Sequence, residues 1–298
     1  MNKLVLDIGG SSIKYAHMND EAEIFQRGEV PTPLDKIESL MYTIRGIYEE
    51  VKDEVNGIAI SMPGNIDCST GHIYSSGALK YNEGINIIDK IHEHINLPIS
   101  VENDGKSAAL AEVWKGNLSS CSDGIVMILG TGIGGGIIKN RKIHKGNHFF
   151  AGEFSFLMQD VNNLDFHNVF ALKGSTYALI MEAADVKKIQ PQSINGHDVF
   201  KWINDNDPDV LEVFEKFTMN IAMEIHNLQC ILDPEKILIG GGISKQPILV
   251  KKIRENLEKI YENIPFNIPH ATVDVCKYFN DSNLIGALYN YYVQFPEE

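Results

Sequence analysis

Asp104 is the residue whose type and setting most suggest chemistry. It follows Val101-Glu102-Asn103 at the end of residues 98–101, which read as a strand, and precedes 105–112, rich in good helix formers. A carboxylate at a strand-to-helix junction lies at a sheet edge beside helix N–H groups, where open α/β folds bind ligands. There it can take a proton from a bound alcohol. The same position suits a helix cap, a role open to either Asn103 or Asp104. Three glycine loops weigh toward chemistry: Gly9-Gly10-Ser11-Ser12, Gly130-Thr131-Gly132-Ile133-Gly134-Gly135-Gly136 and Gly240-Gly241-Gly242. Each follows an apolar run, and backbone N–H groups in such turns cradle phosphate oxygens. The hydroxyls of Ser11 and Ser12 and the charge of Lys14 add to the first loop. Asp7 ends the first apolar run, which suggests contact with a cation or its waters. Glu153 stands among Phe149, Phe150 and Phe154. A solvated loop acid reads that way, and so does an acid that grips sugar hydroxyls beside aromatic rings.

Two nucleotide motifs fail on inspection. Gly105-Lys106-Ser107 matches the end of a Walker A loop, but that motif needs a glycine where Ser100 stands. Gly130, Gly132 and Gly135 satisfy G-x-G-x-x-G, yet 137–143 reads as a hairpin and not as the helix a dinucleotide site requires.

The elements that must position these residues follow from periodicity. Residues 3–7 and 13–18 read as strands about the first glycine turn, with a third strand at 24–30. Ile37, Leu40, Met41, Ile44, Ile47 and Val51 mark a helix over 34–51. Residues 57–61 return as a strand, a right-handed crossover if it joins the first sheet. Met62-Pro63-Gly64-Asn65 breaks that strand, and Ser75-Ser76-Gly77-Ala78 forms a loop suited to a ligand. A short helix over 85–95 leads back to the Asp104 strand. The polar run 117–123 reads as a lobe boundary. Beyond it the opening theme recurs as strand 124–129, the second glycine loop and strand 137–139, an internal echo that implies two related halves facing one cleft. Helices follow at 175–184, 198–204 and 210–232, then a strand at 236–239, a helix at 247–260, a strand at 273–276 and a helix at 282–293. The run 161–173 carries no clear signal.

Composition narrows the function classes. The 298 residues suffice for two lobes, and 44% hydrophobic with 22% charged residues is ordinary for a globular protein. Forty acidic against 26 basic residues give a net charge of −14, which disfavours nucleic acid and anionic membranes as partners. Cys68, Cys121, Cys230 and Cys276 form no C-x-x-C pair, so neither a disulfide framework nor a structural zinc is expected. The first residues lack the apolar stretch of a signal peptide, and a cytoplasmic location is expected.

Asp7-Ile8-Gly9-Gly10-Ser11, Pro63-Gly64, Glu102-Asn103-Asp104, the loop at 130–136, Ala151-Gly152-Glu153 and Ile239-Gly240-Gly241-Gly242-Ile243 occur in the order seen in ROK sugar kinases. The resemblance spans essentially the whole chain. Its Ala-Gly-Glu-Phe and Gly77-Ala78 stretches are most similar to the bacterial β-glucoside kinases of that family. The resemblance implies an α/β, actin/hexokinase-like (ribonuclease H-like) fold with a duplicated core and an interlobe cleft. The first lobe would span 1–117 and the second 118–282, with a helix at about 283–298 packing back on the first. It implies ATP and Mg²⁺ as cofactors, a sugar or glucoside as partner, and a homodimer as a family expectation. Asp104 would be catalytic. Gly64, Asn65, Gly77, Asn103, Asp104 and Glu153 would bind the sugar. Asp7, Gly9, Gly10, Ser11, Ser12, Lys14, Gly130, Thr131, Gly132, Gly134, Gly240, Gly241 and Gly242 would meet ATP, with Mg²⁺ carried on its phosphates and touched by Asp7.

The chain departs from the family in two places. Zinc-bearing members follow the glutamate motif with Gly-His and a cysteine loop; here stand Ser155-Phe156 and a cysteine-free 158–173. A second sugar-binding glutamate has Ala171 near its place. No zinc site is expected, and recognition around sugar C1 and C2 must differ. Glucokinase and N-acetylmannosamine kinase remain alternatives within the family. A sugar-responsive repressor would carry an extra N-terminal DNA-reading segment, whereas here the first strand starts near Leu4.

Overall fold

The computed structural model describes residues 2–162 and 164–296. Met1 of the expected first lobe, Asn163 of the unassigned run and residues 297 and 298 of the expected closing helix lie outside the described residues. The chain forms two compact units: 1–115 with 143–151 and 281–298, and 116–142 with 152–280.

In the first unit, β1 (Asn2–Ile8), β2 (Ser12–Met18) and β3 (Ile24–Pro31) make an antiparallel meander. Helix α1 (Ile37–Val51) buries the apolar stripe Leu40, Met41, Ile44, Ile47 and Val51. It carries the chain to β4 (Val55–Met62), which pairs parallel with β1. A small hairpin, β5 (Asn65–Asp67) and β6 (His72–Ser75), precedes α2 (Ile87–His92). Then β7 (Ile99–Asn103) pairs parallel with β4 and opens into α3 (Asp104–Trp114). The sheet order is β3-β2-β1-β4-β7.

The second unit repeats this plan. The hairpin of β8 (Gly124–Leu129) and β9 (Ile133–Lys139) continues into the short β10 (Lys142–His144). A helical stretch follows: α4 (Ala171–Gly174), α5 (Thr176–Lys187), α6 (Gly196–Asn204) and α7 (Pro208–Leu232). It ends at β11 (Lys236–Gly240), parallel to β8. Helix α8 (Pro247–Glu262) then leads to β12 (Val273–Val275), parallel to β11. The order β10-β9-β8-β11-β12 matches the first sheet strand for strand. Strands β1, β4 and β7 are buried almost throughout, as expected of strands covered on both faces.

Helix α9 (Ser282–Gln294) packs on α3 within the first unit. Gly286 permits that approach, since a Cβ there would lie 1.6 Å from Ser107 O. The segment Ile143–Ala151 belongs to the first unit, although the sequence boundary of 118–282 assigns it to the second. Side-chain ties that no spacing announces hold it there: Lys145 to Glu102, and His148 to Asn65. Among the described residues no helix is long and apolar enough to cross a membrane.

Candidate active site

The junction of β7 and α3 separates two roles the sequence left open. Asn103 caps α3: its Oδ1 accepts Lys106 N–H at 3.0 Å, and its Nδ2 donates to Gly64 O at 3.0 Å. Asp104, the first helical residue, is therefore free of the capping duty. Its Oδ1 accepts from the adjacent Gly105 N–H at 2.8 Å, and the Asn103 side chain adds a further stabilising contact to the carboxylate. Burial raises the Asp104 pKa above the ordinary carboxylate value, while the Gly105 N–H and the charge of Lys106 pull the other way.

One residue upstream, Glu102 is fully buried. It accepts Asn103 N–H at 2.9 Å and pairs with Lys145 Nζ at 2.8 Å. Burial disfavours charge on Lys145, but the Glu102 carboxylate outweighs it and holds the ammonium above its usual range. The backbone around Asp104 is thus fixed by a buried ion pair as well as by the cap.

Asp7 lies at the end of β1. Both of its hydrogen bonds fall on Oδ1, from Ser61 Oγ at 2.9 Å and Asn283 Nδ2 at 3.1 Å. Its pKa is raised, first by burial and further by the negative charge of Asp104, while Lys14 opposes the shift. Asp7 and Asp104 therefore share one electrostatic neighbourhood. The glycine turn between β1 and β2 closes with Gly9 N–H on Ser12 O at 2.9 Å. Thr32 braces it, its Oγ1 donating to Gly9 O at 2.7 Å and its N–H to Ser11 O at 3.1 Å. Ser12 and Lys14 lie on β2, with Lys14 opposite Asp7. Ser61, Asn283 and Thr32 had no motif to mark them, because register and α9 packing bring them in.

Gly64 has φ +122, and a Cβ there would meet Ser75 O at 2.3 Å. Only glycine fits this backbone. Asn65 donates from Nδ2 to His148 O at 2.8 Å, while its Oδ1 is buried with no hydrogen-bond partner. Gly77 is also left-handed, at φ +57, and a Cβ there would sit 3.5 Å from Pro63. The loops of Gly64, Asn65 and Gly77 thus gather beside Asn103.

The second unit brings together a different set. Its glycine turn is Gly130-Thr131-Gly132 alone, closed by Gly130 N–H on Gly132 O at 2.9 Å. The sequence reading extended the loop to 136, but Gly134, Gly135 and Gly136 are strand residues opposite Ile128, Met127 and Val126. They are glycines for packing; a Cβ at Gly135 would meet Val126 O at 2.2 Å. Gly240 ends β11 and Gly241 crosses at φ +94, with Cβ clashes against Ile128 and Leu129 respectively. Gly242 alone of the three faces open space. With Gly130 and Thr131 it lines a cavity of about 380 Å³. Thr176, Tyr177, His197 and Gln246 complete the wall from α5, α6 and the start of α8, and the sequence reading missed them. Ser155 braces this turn as Thr32 braces the first, accepting Ile133 N–H at 2.8 Å. Glu153 belongs to the second unit, half-buried before the 3-10 turn Phe154–Phe156, and Phe156 is exposed.

The chain is similar to known proteins over nearly its whole length. The model of the ROK family matches residues 3–291. A β-glucoside kinase of Listeria monocytogenes is 27% identical, covering 98% of this chain and 97% of its own. A glucokinase of Halalkalibacterium halodurans is 29% identical, covering 94% and 92%. Among solved structures, a ROK family protein from Streptococcus pneumoniae in complex with sucrose superposes with a TM-score of 0.90 at 25% identity, covering 99% of both chains. The fold is accordingly the actin/hexokinase-like one.

Proposed function

The chain belongs to the ROK family, and from that premise we propose that this sugar kinase transfers the γ-phosphoryl group of ATP to the 6-hydroxyl of the non-reducing glucose of β-glucosides. The observation that carries the reading is the division of labour at the β7–α3 junction: Asn103 caps the helix, so the Asp104 carboxylate remains available to a substrate. The Asp104 carboxylate is the group offered to the sugar hydroxyl. A carboxylate with a raised pKa is also a stronger base at neutral pH. Asp104 orients the hydroxyl and takes its proton as the oxygen attacks phosphorus in line; the bond from phosphorus to the leaving ADP oxygen breaks as the new one forms.

Gly64, Asn65, Gly77 and Asn103 are assigned to the sugar, and Glu153 is assigned to its hydroxyls from the residue motif. The unpartnered Asn65 Oδ1 suits a sugar O–H donor. Gly9, Gly10, Ser11, Ser12 and Lys14 are assigned to the phosphates. Gly130, Thr131 and Gly242, lining a cavity of nucleoside-accepting size, are assigned to the adenosine end. Gly132, Gly240 and Gly241 shape those turns, while Gly134, expected to meet ATP, is a residue of strand β9. Mg²⁺ on the ATP phosphates would neutralise their charge. Asp7 fits such an ion, because its hard oxygen Oδ2 is left over from the bonds to Oδ1.

Phe156 stands where zinc-bearing relatives place a histidine, and a free anomeric hydroxyl buried there without a partner would cost about 1–3 kcal/mol. An O-linked group at C1 removes that donor. The test is kcat/KM for cellobiose against glucose, with ATP and Mg²⁺. Turnover of cellobiose at least as efficient as that of glucose is expected. Strong glucose phosphorylation with none of cellobiose would leave a glucokinase instead.

A further inference from the structure

The hairpin β5–β6 and the segment Ile143–Ala151 bring two aromatic rings together in the first unit. Tyr74 and Phe149 stack with centroids 5.9 Å apart and planes 15° from parallel. The His72 ring meets Tyr74 edge-on at 4.7 Å. Tyr74 nevertheless remains 52% exposed, so ring surface is left for a ligand.

Phe149 adopts φ +57, a left-handed backbone that bulky residues avoid. Such a conformation persists only where its surroundings impose it, and it clusters at ligand sites. The surroundings here are specific. Asn65 Nδ2 holds His148 O at 2.8 Å, Ala151 N–H holds Lys145 O at 3.1 Å, and Lys145 is anchored on buried Glu102 at 2.8 Å.

These ties connect the ring pair to the reacting end of the site. Asp104 adjoins Asn103, Asn103 Nδ2 holds Gly64 O, and Gly64 adjoins Asn65, which holds His148 beside Phe149. Strand pairing also puts Ser75 opposite Asn65, so Tyr74 is one residue from that partner. The unpartnered Asn65 Oδ1 and the Gly64 backbone are members of that chain of contacts.

We propose that Tyr74 and Phe149 form an aglycone subsite, an aromatic wall that stacks on the second ring of a β-glucoside while Asn65 accepts a hydroxyl of the first. The inference rests on the β-glucoside reading above and names what that reading lacks, the residues that select for a ring at C1. Aromatic surfaces of this kind favour flat or ring-shaped groups over a methyl group.

The experiment measures calorimetric affinity for methyl β-glucoside and phenyl β-glucoside, alongside turnover with ATP, glucose and cellobiose. Wild type should bind the phenyl glucoside about 3- to 10-fold more tightly than the methyl one, the preference a single ring contact supplies. Tyr74→Ala should bring the ratio close to one, and Tyr74→Phe should keep it. Phe149→Gly, which accepts the left-handed backbone, should also lower it. A ratio near one in wild type, or an unchanged ratio in Tyr74→Ala, overturns the subsite. If glucose is phosphorylated and cellobiose is not, while the wild-type binding preference is present and lost in Tyr74→Ala, the β-glucoside substrate reading fails and the ring-binding subsite stands. If cellobiose is phosphorylated and no phenyl preference exists, the subsite alone fails.

Discussion

The two glycine turns stand at the same place in two sheets of the same strand order, and their surroundings have opposite chemistry. In the first sheet Asp7 faces Lys14 on one side and Ser61 on the other. In the second sheet the corresponding Ile128 faces Gly134 and Gly240. The first turn therefore carries charge and hydrogen-bonding side chains at its strand ends. The second carries glycines that let backbone and Ile128 pack closely, beside a cavity. One topology has been specialised into an acid-bearing half and a half that offers backbone and a hole. Substitutions in the first half should strike turnover or charge-dependent stability, and those in the second should strike packing or nucleotide affinity.

The largest expected effect tests the acid itself. Asp104→Asn keeps the size of the side chain and removes the proton acceptor. Turnover should fall about 10²- to 10⁴-fold with sugar binding retained. Near wild-type kcat in this variant would reduce Asp104 to a structural residue and erase the contrast between the halves.

Next comes the buried ion pair that anchors the acid's strand. Lys145→Met leaves Glu102 charged and unpaired in a buried site, a change that costs about 3–5 kcal/mol. Denaturant unfolding should show the loss, and Glu102→Gln in the same chain should recover much of it. The sign with pH is set by the raised Lys145 pKa: its contribution is present below the unfolded value and fades as pH rises through the folded one. No recovery in the double variant would mean that Lys145 acts through packing of its stem.

The second half is probed by two neighbouring glycines with different reasons to be glycine. Gly241→Ala forces a Cβ to within 2.2 Å of Leu129 O at φ +94 and should destabilise the protein by about 1–3 kcal/mol or more. Gly242→Ala meets nothing within 4 Å, so stability should hold while KM for ATP rises. Equal melting losses in both would contradict the assignment of Gly242 to the cavity wall.

The smallest effect is also the most diagnostic of burial. Because the folded pKa of Asp104 is raised, the native state holds that proton more tightly than the unfolded chain does. The charged form is therefore penalised at neutral pH, and the penalty vanishes below the unfolded pKa of about 3.9. Asp104→Asn should melt slightly above wild type at neutral pH, with the difference shrinking as pH falls. A difference that grew on acidification would reverse the sign of the argument.

Much of this was open to reading from residue patterns. Period-2 and period-3.6 spacing located α1, α7 and the strands flanking each glycine turn to within a few residues, because burial of one face imposes that periodicity. The echo of the first glycine turn in the second foretold two related halves, and the two sheets share one strand order. Asp104 stood out because a strand ending against helix formers leaves few geometries for the residue between. Other features escaped. The glycines at 134–136 looked like loop because glycine signals both turn and close packing, and only the register with β8 separates the two. Lys145 and Tyr74 gave no local signal, and Asn65 no hint of its tie to His148.

Sequence alone determined most of the longer strands and helices, the presence of a glycine turn at the end of β1 and of β8, and which acid could serve as base, since each depends on neighbours within one or two turns of chain. Tertiary structure decided that Asn103 and not Asp104 caps the helix, that Asp7 is held by Ser61 and Asn283, and that Ile143–Ala151 joins the first unit through Glu102 and Asn65. The cap itself is a local contact, but the other outcomes depend on distant partners, 54 and 276 positions away for Asp7 with Ser61 and Asn283 and 83 for Asn65 with His148. No local propensity carries such a pairing; only burial of the shared sheet edges selects it.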